Sequence, residues 1–365
     1  MQVCGIVAEY NPFHTGHAYQ LAAARAAGAE RIVVVMSGQF VQRGGIACLD
    51  KWQRAKAAIA AGADLVLELP VSFATASAER FAFGAVSVLE KLGCVTMLHC
   101  GSECGDADLL RQTAERLETL HIFPWLAGGL SYPAARRKAM AEEYGEEAAA
   151  LLDQPNNILA IEYQKAILRM GAEMELHTIL RAGASHDGAP REKFSSAGWI
   201  RHTWETEGSD AVAEYLPGGV PEGFRPANGL EQATLYRLST LSKAGFAALP
   251  DVNEGLENRL YRAARTARSL SEFYEKVQTR RYPQARIRRI AAAAVLSIRA
   301  TDRPAEPASA RVLACGEGGY PILRAAKKAG RIFCSGDSRL LASADPYEAA
   351  LERRSVRLFS LAREA

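Results

Sequence analysis

The chain has 365 residues, of which 48% are hydrophobic and 23% charged, and its formal net charge is +3. This predicts a globular protein of about two domains, and no apolar run reaches the roughly 18 residues of a membrane span, which argues against a membrane protein. The 7 cysteines are scattered and odd in number, which favours reduced thiols in the cytoplasm over a disulfide framework.

Short apolar runs alternate with helical patterns through the first hundred residues. The runs predict four buried strands, at residues 3–8, 31–36, 64–70 and 94–99. Helical patterns fill the intervals, and Asp50 is the expected N-cap of a helix that stops near Gly62. This alternation predicts a parallel sheet with helices on both faces, in which ligands bind beyond the carboxyl ends of the strands.

The pattern beyond Asp106 is mostly helical. An apolar run at 174–180 predicts a fifth strand that brings Arg181 to the same edge of the sheet. A stretch rich in Gly and Pro at 216–229 indicates a joint between domains. The chain is then helical to about residue 300, and a strand, a Gly turn and a helix follow in a small terminal α/β unit. We therefore predict one domain over 1–205 and a mainly helical domain over 206–365.

The first strand leads into His14-Thr15-Gly16-His17, where the first helix is expected to begin. A helix N-terminus attracts phosphate, and imidazole N–H groups placed there can stabilise charge that develops on a phosphoryl group. Gly16 would allow a phosphate to approach the backbone closely. The stretch resembles the HxGH signature of the nucleotidyltransferase superfamily, whose members activate a substrate with ATP and release pyrophosphate.

A second motif, SSAGWIR, is similar to the late superfamily motif whose hydroxyls and Arg hold the ATP phosphates. Here Ser195 or Ser196 could cap a helix, with Arg201 one to two turns later. Ala197 and Gly198 stand where hydroxyl residues are common, so the anchoring hydroxyl stays open between the two serines.

The wider sequence resembles the tRNA(Met) cytidine acetate ligase family. The resemblance rests on blocks in register: GIVAEYNPFHTGHAYQL, VVMSGQFVQRGGIACLDKWQRAKAAIAAGADLVLELP, GSE, PNNILAIEYQKAI and RAGASHD. It implies a Rossmann-like nucleotidyltransferase domain, with ATP, acetate and elongator tRNA(Met) as substrates. Mg²⁺ is expected on the ATP phosphates, because ATP in such reactions is usually the magnesium complex. We infer no protein partner and no metal ligands from the chain itself.

The resemblance also implies site residues. His14 and His17 would be catalytic. The implied ATP contacts are Val7, Ala8, Glu9, Tyr10, Asn11, Pro12, Phe13, His14, Thr15, Gly16, His17, Ala18, Tyr19, Gln20, Gly101, Asn156, Arg181, Ser195, Ser196 and Arg201. Asn157 stays an alternative to Asn156, and either could cap the following helix. Four residues after the second strand could face acetate, tRNA or only solvent: Gly38, Gln39, Gln42 and Arg43.

Basic residues far outnumber acidic ones between Arg259 and Arg289. Such a cluster can neutralise several phosphates, and an aromatic side chain within it can stack on an unpaired base. We predict a tRNA-binding surface formed by Lys276, Arg280, Arg281, Tyr282, Arg286, Arg288 and Arg289. The alternative is a solvated helical face.

Two other classes of function remain open. A small-molecule adenylyltransferase of cofactor synthesis would share HTGH and SSAGWIR, but it would not need the basic C-terminal half. A non-catalytic RNA-binding protein would not need the intact histidines or Arg201. Zinc at His99, Cys100 and Cys104 is disfavoured because no second pair of Cys or His with ligand spacing follows.

Overall fold

A computed structural model describes residues 1–181, 194–226, 228–253 and 255–362. Residues 182–187 of the RAGASHD motif lie outside this part of the chain, so the structure offers no account of them. Within the described ranges, no helix is both long enough and apolar enough to cross a bilayer.

The described strands form one sheet in the order β5-β4-β1-β2-β3-β6-β7. Their bounds are β1 Val3–Ala8, β2 Arg31–Ser37, β3 Leu65–Leu69, β4 Val95–Ser102, β5 Glu175–Leu180, β6 Ser309–Cys315 and β7 Phe333–Ser335. Neighbouring strands are parallel except for β6, which pairs antiparallel with β3. The predicted parallel sheet is confirmed, including a fifth strand beside β4.

Helices occupy most of the rest of the described chain. The first nine are α1 Thr15–Ala26, α2 Lys51–Ala60, α3 Val71–Ala74, α4 Ala78–Lys91, α5 Ala107–Thr119, α6 Phe123–Ala127, α7 Tyr132–Tyr144, α8 Glu146–Ala150 and α9 Pro155–Met170. The others are α10 Ala197–Glu207, α11 Glu231–Thr240, α12 Lys243–Ala247, α13 Leu256–Thr266, α14 Leu270–Val277, α15 Gln284–Leu296, α16 Gly319–Ala329, α17 Ser338–Ala344 and α18 Pro346–Leu361. Asp50 caps α2 as predicted, accepting a hydrogen bond from the backbone N–H of Trp52 at 2.7 Å.

Both faces of the sheet are covered. In β2, Val33 and Val35 belong to the core cluster that α4, α5 and α9 complete, whereas Ile32 and Val34 belong to the cluster formed with α1 and α2. Successive side chains of a strand point to opposite faces, so an uninterrupted apolar run is what a strand buried on both sides requires.

The terminal α/β unit corrects the predicted domain division. Its strands β6 and β7 extend the sheet of the first domain beyond β3. The unit therefore shares a sheet with the first 205 residues, although it lies within the expected C-terminal domain at 206–365. Between the two lies a helical region, α11 to α15, with a core of its own that includes Leu238, Phe246, Leu260, Phe273 and Ile287.

A buried ionic cluster joins the late strands to the early ones. Lys51 Nζ lies 2.7 Å from Glu68 Oε2 and 2.6 Å from Glu352 Oε1. Arg311 of β6 lies 3.3 Å from Glu352 Oε2 and 3.5 Å from Glu68 Oε2. We call these four residues the buried ionic cluster; the charges of Lys51, Glu68 and Arg311 are taken out of water and therefore need their partners.

The strand order reverses at β1, which lies between β2 and β4. In an open α/β sheet the crevice at such a reversal, beyond the carboxyl ends of the strands, is the usual place for a ligand. The HTGH motif follows β1, and Gly101 to Glu103 close β4, so both face this crevice.

Candidate active site

The paired histidines form the N-terminus of α1. His14 is the N-cap residue, and its Nδ1 accepts a hydrogen bond from the backbone N–H of Gly16 at 3.1 Å. His17 Nδ1 accepts from the backbone N–H of His14 at 3.2 Å, which completes a capping box. The ring centroids are 3.8 Å apart. A Cβ at Gly16 would lie 2.9 Å from His14 Cε1 and displace that ring.

Both imidazoles are neutral at neutral pH. Burial, followed by the charges of Arg181 and Arg201, lowers the pKa of His14 from 6.5 to about 3. Burial and the neighbouring His14 hold the pKa of His17 well below its ordinary value. A neutral imidazole carries one N–H, and Nδ1 is the acceptor in each ring, so the proton lies on Nε2. The capping box thus occupies Nδ1 of each ring and leaves Nε2–H as its donor.

The second motif supplies a cation beside the pair. Ser196 caps α10, accepting from the backbone N–H of Trp199 at 3.1 Å. Arg201 in this helix donates to the backbone carbonyl of Asn11, three residues before His14. Ser195 is buried, and its hydroxyl has no partner within the described ranges. Of the two serines, Ser196 is therefore the helix cap, and Ser195 has the hydroxyl without a protein partner in the described residues.

The two asparagines have different surroundings. Asn157 is 2% exposed, and its Oδ1 accepts from the backbone N–H groups of Glu103 at 2.9 Å and Cys104 at 3.1 Å. Asn156 Nδ2 donates to Glu103 Oε1 at 2.6 Å, and its Oδ1 accepts from Arg181 Nη1 at 2.7 Å. Asn157 therefore shapes the loop after β4, whereas Asn156 connects that loop to Arg181.

Gly101 lies against the same arginine, since a Cβ there would be 3.3 Å from Arg181 Cγ. Glu103, which the sequence motif contains but which was not predicted as a site residue, also accepts from the backbone N–H of Asn157 at 2.8 Å. It fixes the start of α9 and, through Asn156, the guanidinium of Arg181.

The run from Val7 to Gln20 divides into packing residues and accessible ones. Tyr10 and Phe13 are buried in the core beneath α1, and Asn11 Oδ1 accepts from the backbone N–H of Cys48 at 2.7 Å. Tyr19 is 44% exposed and lies against Phe194, with ring centroids 5.5 Å apart. Gln20 Nε2 donates to the backbone carbonyl of His99 at 3.1 Å, which ties α1 to β4.

Arg54 has a role that no sequence motif indicates. It is fully buried and donates to the backbone carbonyls of four residues, Glu9, Ser37, Gly38 and Leu49. It thereby holds the ends of β1 and β2 and the loop between β2 and α2. A charged residue on the apolar face of the Ala-rich helix 51–60 was the available signal.

The loop between β2 and α2 is itself well connected. Gln39 is 1% exposed, and its Nε2 donates to Asp50 Oδ2 at 2.7 Å. Gln42 donates through its backbone N–H to Glu9 Oε1 at 2.7 Å and through Nε2 to the Ala76 carbonyl at 3.1 Å. Both glutamine side chains therefore have structural partners.

A family model described as HIGH Nucleotidyl Transferase matches residues 1–339. The tRNA(Met) cytidine acetate ligase of Alkaliphilus metalliredigens is 36% identical over 363 residues, covering 90% of this chain and 86% of that protein. This chain belongs to the tRNA(Met) cytidine acetate ligase family. The family predicted from the sequence blocks is therefore confirmed.

Other relatives agree. The tRNA(Met) cytidine acetate ligase of Syntrophotalea carbinolica is 38% identical, over 91% of this chain and 84% of that protein. The crystal structure of Thermotoga maritima TmcAL in its apo form matches 98% of this chain and 92% of that chain, with a TM-score of 0.88 and 32% identity. TmcAL bound with alpha-thio ATP matches with a TM-score of 0.86.

In this member of the cytidine acetate ligase family, one part of the predicted tRNA surface needs correction. Tyr282 is 8% exposed and packs in the core of the helical region, so its ring does not face solvent to stack on a base. Arg286 donates to the Asp251 carbonyl at 2.7 Å, and Arg289 Nε lies 3.7 Å from Asp251 Oδ2. These three side chains hold the helical region together.

Three of the predicted basic residues are exposed: Lys276, Arg280 and Arg288. The Lys276 ammonium lies 2.6 Å from Glu272 Oε1, and the Arg288 guanidinium lies 5.5 Å from the centre of the Tyr274 ring. Arg281 is partly buried. Around α15 the exposed cations therefore remain the candidates for contact with phosphate.

Proposed function

We propose that this protein is an ATP-dependent ligase that acetylates the wobble cytidine of elongator tRNA(Met), using acetate and forming N4-acetylcytidine. The observation that carries the proposal is the pair of neutral histidines at the N-terminus of α1, beside Arg201 and Arg181. Such an arrangement suits a phosphoryl group that gains negative charge. The names of the relatives supply the acceptor and the acid.

In the first step an acetate oxygen attacks the α-phosphorus of ATP, pyrophosphate leaves, and acetyl-adenylate forms. His14 and His17 donate from Nε2 to the phosphoryl oxygens as charge builds on them. Arg181 and Arg201 hold the remaining phosphate charge, and the buried hydroxyl of Ser195 contributes a further hydrogen bond. Because the pair is neutral, it stabilises this charge by hydrogen bonding and needs no proton transfer.

In the second step the N4 amine of the cytidine attacks the acetyl carbon, AMP leaves and N4 loses a proton. The phosphate oxygens of AMP then carry the charge that the same donors neutralise. We assign this chemistry to residues 1–205 together with the late strands that complete their sheet. The helical region from α11 to α15 holds the tRNA.

Mg²⁺ is expected with the ATP phosphates, where it would neutralise charge. The described residues contain no group of three or more His, Cys, Asp or Glu that could hold a metal ion. Glu9, which follows β1, and Glu103, which follows β4, already accept hydrogen bonds from protein N–H groups. We therefore assign no protein ligand to the ion and take no step through it.

The test is mass spectrometry of tRNA nucleosides after incubation with ATP and isotopically labelled acetate. We expect labelled N4-acetylcytidine only when both substrates are present, and AMP in equal amount. Acetate-dependent exchange of label between pyrophosphate and ATP, measured beside a panel of nucleotide phosphates, distinguishes acetate activation from adenylyl transfer to a cofactor precursor. Absence of the labelled nucleoside would contradict the proposal.

A further inference from the structure

The loop between β2 and α2, residues 38–50, contacts both the candidate ATP site and the helical region. On the first side, the backbone N–H of Gln42 donates to Glu9 Oε1 at 2.7 Å, and the backbone N–H of Cys48 donates to Asn11 Oδ1 at 2.7 Å. Glu9 and Asn11 belong to the turn that leads from β1 to the histidine pair. The loop therefore fixes the approach to the HTGH motif.

On its other side the same loop packs against α15. Phe40 and Ile46 share a buried cluster with Ala292 and Leu296. At Gly44 the approach is closer, because a Cβ there would lie 2.6 Å from the backbone carbonyl carbon and oxygen of Arg288. Gly44 also has φ +79°, a conformation that favours glycine.

The loop is braced between these two contacts. Phe40 and Ile46 form a β-bridge across it, the Val41 N–H donates to the Gly45 carbonyl at 3.0 Å, and the Gly44 N–H donates to the Val41 carbonyl at 2.9 Å. Its own hydrogen bonds, and its anchors on Glu9, Asn11 and Arg54, resist adjustment of the loop, so a Cβ at Gly44 is expected to displace α15 and not the turn before the histidines. The loop is thus one of the contacts that set the separation of α15 from the histidine pair.

We propose that the loop at 38–50 positions bound tRNA relative to the ATP site, and that Gly44 is a positioning residue for acetyl transfer. The inference rests on the proposed function, since it takes α15 as part of the tRNA surface. Activation of acetate needs only the groups at the strand ends. Transfer to cytidine needs those groups and the tRNA in register, so only transfer depends on the contact between Gly44 and Arg288.

The test compares Gly44→Ala with Gly45→Ala. The neighbouring glycine is a matched control, because a Cβ at Gly45 meets nothing within 4 Å and no positive φ is required there. A misplacement of about 1 Å can lower a rate about 100-fold. We expect Gly44→Ala to lower tRNA acetylation by at least about tenfold while acetate-dependent ATP–pyrophosphate exchange stays within about twofold. Gly45→Ala should match the parent in both assays.

Equal acetylation by Gly44→Ala and the parent would overturn the proposal, as would a parallel loss of exchange and acetylation in a variant that still folds. If Gly44→Ala does not fold, Phe40→Leu replaces it as the test, because it removes part of the same contact with α15. It must then lower tRNA acetylation while ATP–pyrophosphate exchange stays close to that of the parent. Failure of the proposed function would look different, because the parent and Gly45→Ala would then also fail to acetylate tRNA.

Discussion

At the scale of single residues, the burial of His14 couples the candidate site to pH. Its pKa is about 3 in the folded protein against an ordinary value of 6.5. Below about pH 6.5 the unfolded chain binds more protons, so stability present at neutral pH is lost as the pH falls toward the folded pKa. From about pH 7 to about pH 5, we expect His14 to lower the free energy of unfolding by about 2 kcal/mol.

Urea denaturation at the two pH values measures this effect. His14→Asn keeps a good N-cap side chain that does not titrate, so its stability should fall by about 2 kcal/mol less than that of the parent. The same fall in both proteins would show that His14 is not the titrating group.

His17 carries the complementary prediction for chemistry. Removing one donor aimed at developing charge typically costs about 10²–10³ in rate, so His17→Ala should lower ATP–pyrophosphate exchange by about that factor. His121, which is exposed, provides the control substitution His121→Ala. Near-normal exchange by His17→Ala would remove the pair from the mechanism.

The asparagine pair separates ligand binding from folding. Asn156→Ala should weaken ATP binding measured by calorimetry, because it releases Arg181, and Arg181→Ala should do the same. Asn157→Ala should instead destabilise the fold by about 1–3 kcal/mol, since it leaves two backbone N–H groups unpaired. Weaker ATP binding in Asn157→Ala alone would reverse the assignment.

These residues also show how far a sequence can be read. HTGH predicts both the histidines and their place at the start of a helix, because its position after the first strand fixes both. Adjacent asparagines on a helix point in different directions, and which of them meets the β4 loop depends on tertiary structure. The hydrogen bonds of Arg54 also depend on tertiary structure, because the four carbonyls to which it donates belong to separate segments.

At the scale of elements, α15 and the turn before it carry the test of tRNA binding. If exposed Arg280 and Arg288 bind phosphates, Arg280→Gln combined with Arg288→Gln should weaken tRNA binding at low salt. The slope of log affinity against log salt should decrease by about 1 for each arginine, because fewer counterions are released. Filter binding at several salt concentrations gives the slope.

Arg324→Gln combined with Arg339→Gln is the matched control, since both arginines are exposed, on α16 and α17, and their loss changes the net charge by the same amount. ATP affinity should stay unchanged in all variants. If the variant that lacks Arg280 and Arg288 keeps the parental salt dependence, these arginines are solvated and do not bind tRNA.

The residues of the basic stretch are close in sequence, which predicts one continuous surface. In the structure this stretch has a buried part and an exposed part, because a helix packed on a core has one buried face. Tyr282 and Ile287 lie in that core, and Arg286 and Arg289 are drawn to Asp251. Charge count predicts that a basic region exists, but helix packing decides which of its cations reach solvent.

At the scale of the whole molecule, the buried ionic cluster joins segments about 300 residues apart. Lys51→Met leaves Glu68 and Glu352 with fewer cations, and removing one partner of a buried pair costs about 3–5 kcal/mol. Lys56→Met removes an exposed cation from the same helix and should change stability by less than about 0.5 kcal/mol. Urea denaturation near neutral pH measures both, and equal effects would contradict the role of the cluster.

The first four strands and their parallel direction follow from their regular alternation with helices, and the family resemblance agrees with them. The pairing of β6 with β3 does not, because antiparallel addition at a distant edge leaves no mark in local periodicity. An apolar strand at 309–315 predicts only that some sheet will take it up, and Arg311 within it reads as a solvated charge until Lys51, Glu68 and Glu352 are seen around it.

The antiparallel addition of β6 also affects synthesis of the protein on the ribosome. Strand β3 is buried throughout, yet its outer edge is covered only after residues 309–315 have emerged. Until then the nascent chain presents an apolar strand with unpaired backbone groups, which is a template for association with other chains. Truncation before β6 should therefore yield an aggregating product, and a chaperone that shields apolar segments should find its binding site at β3.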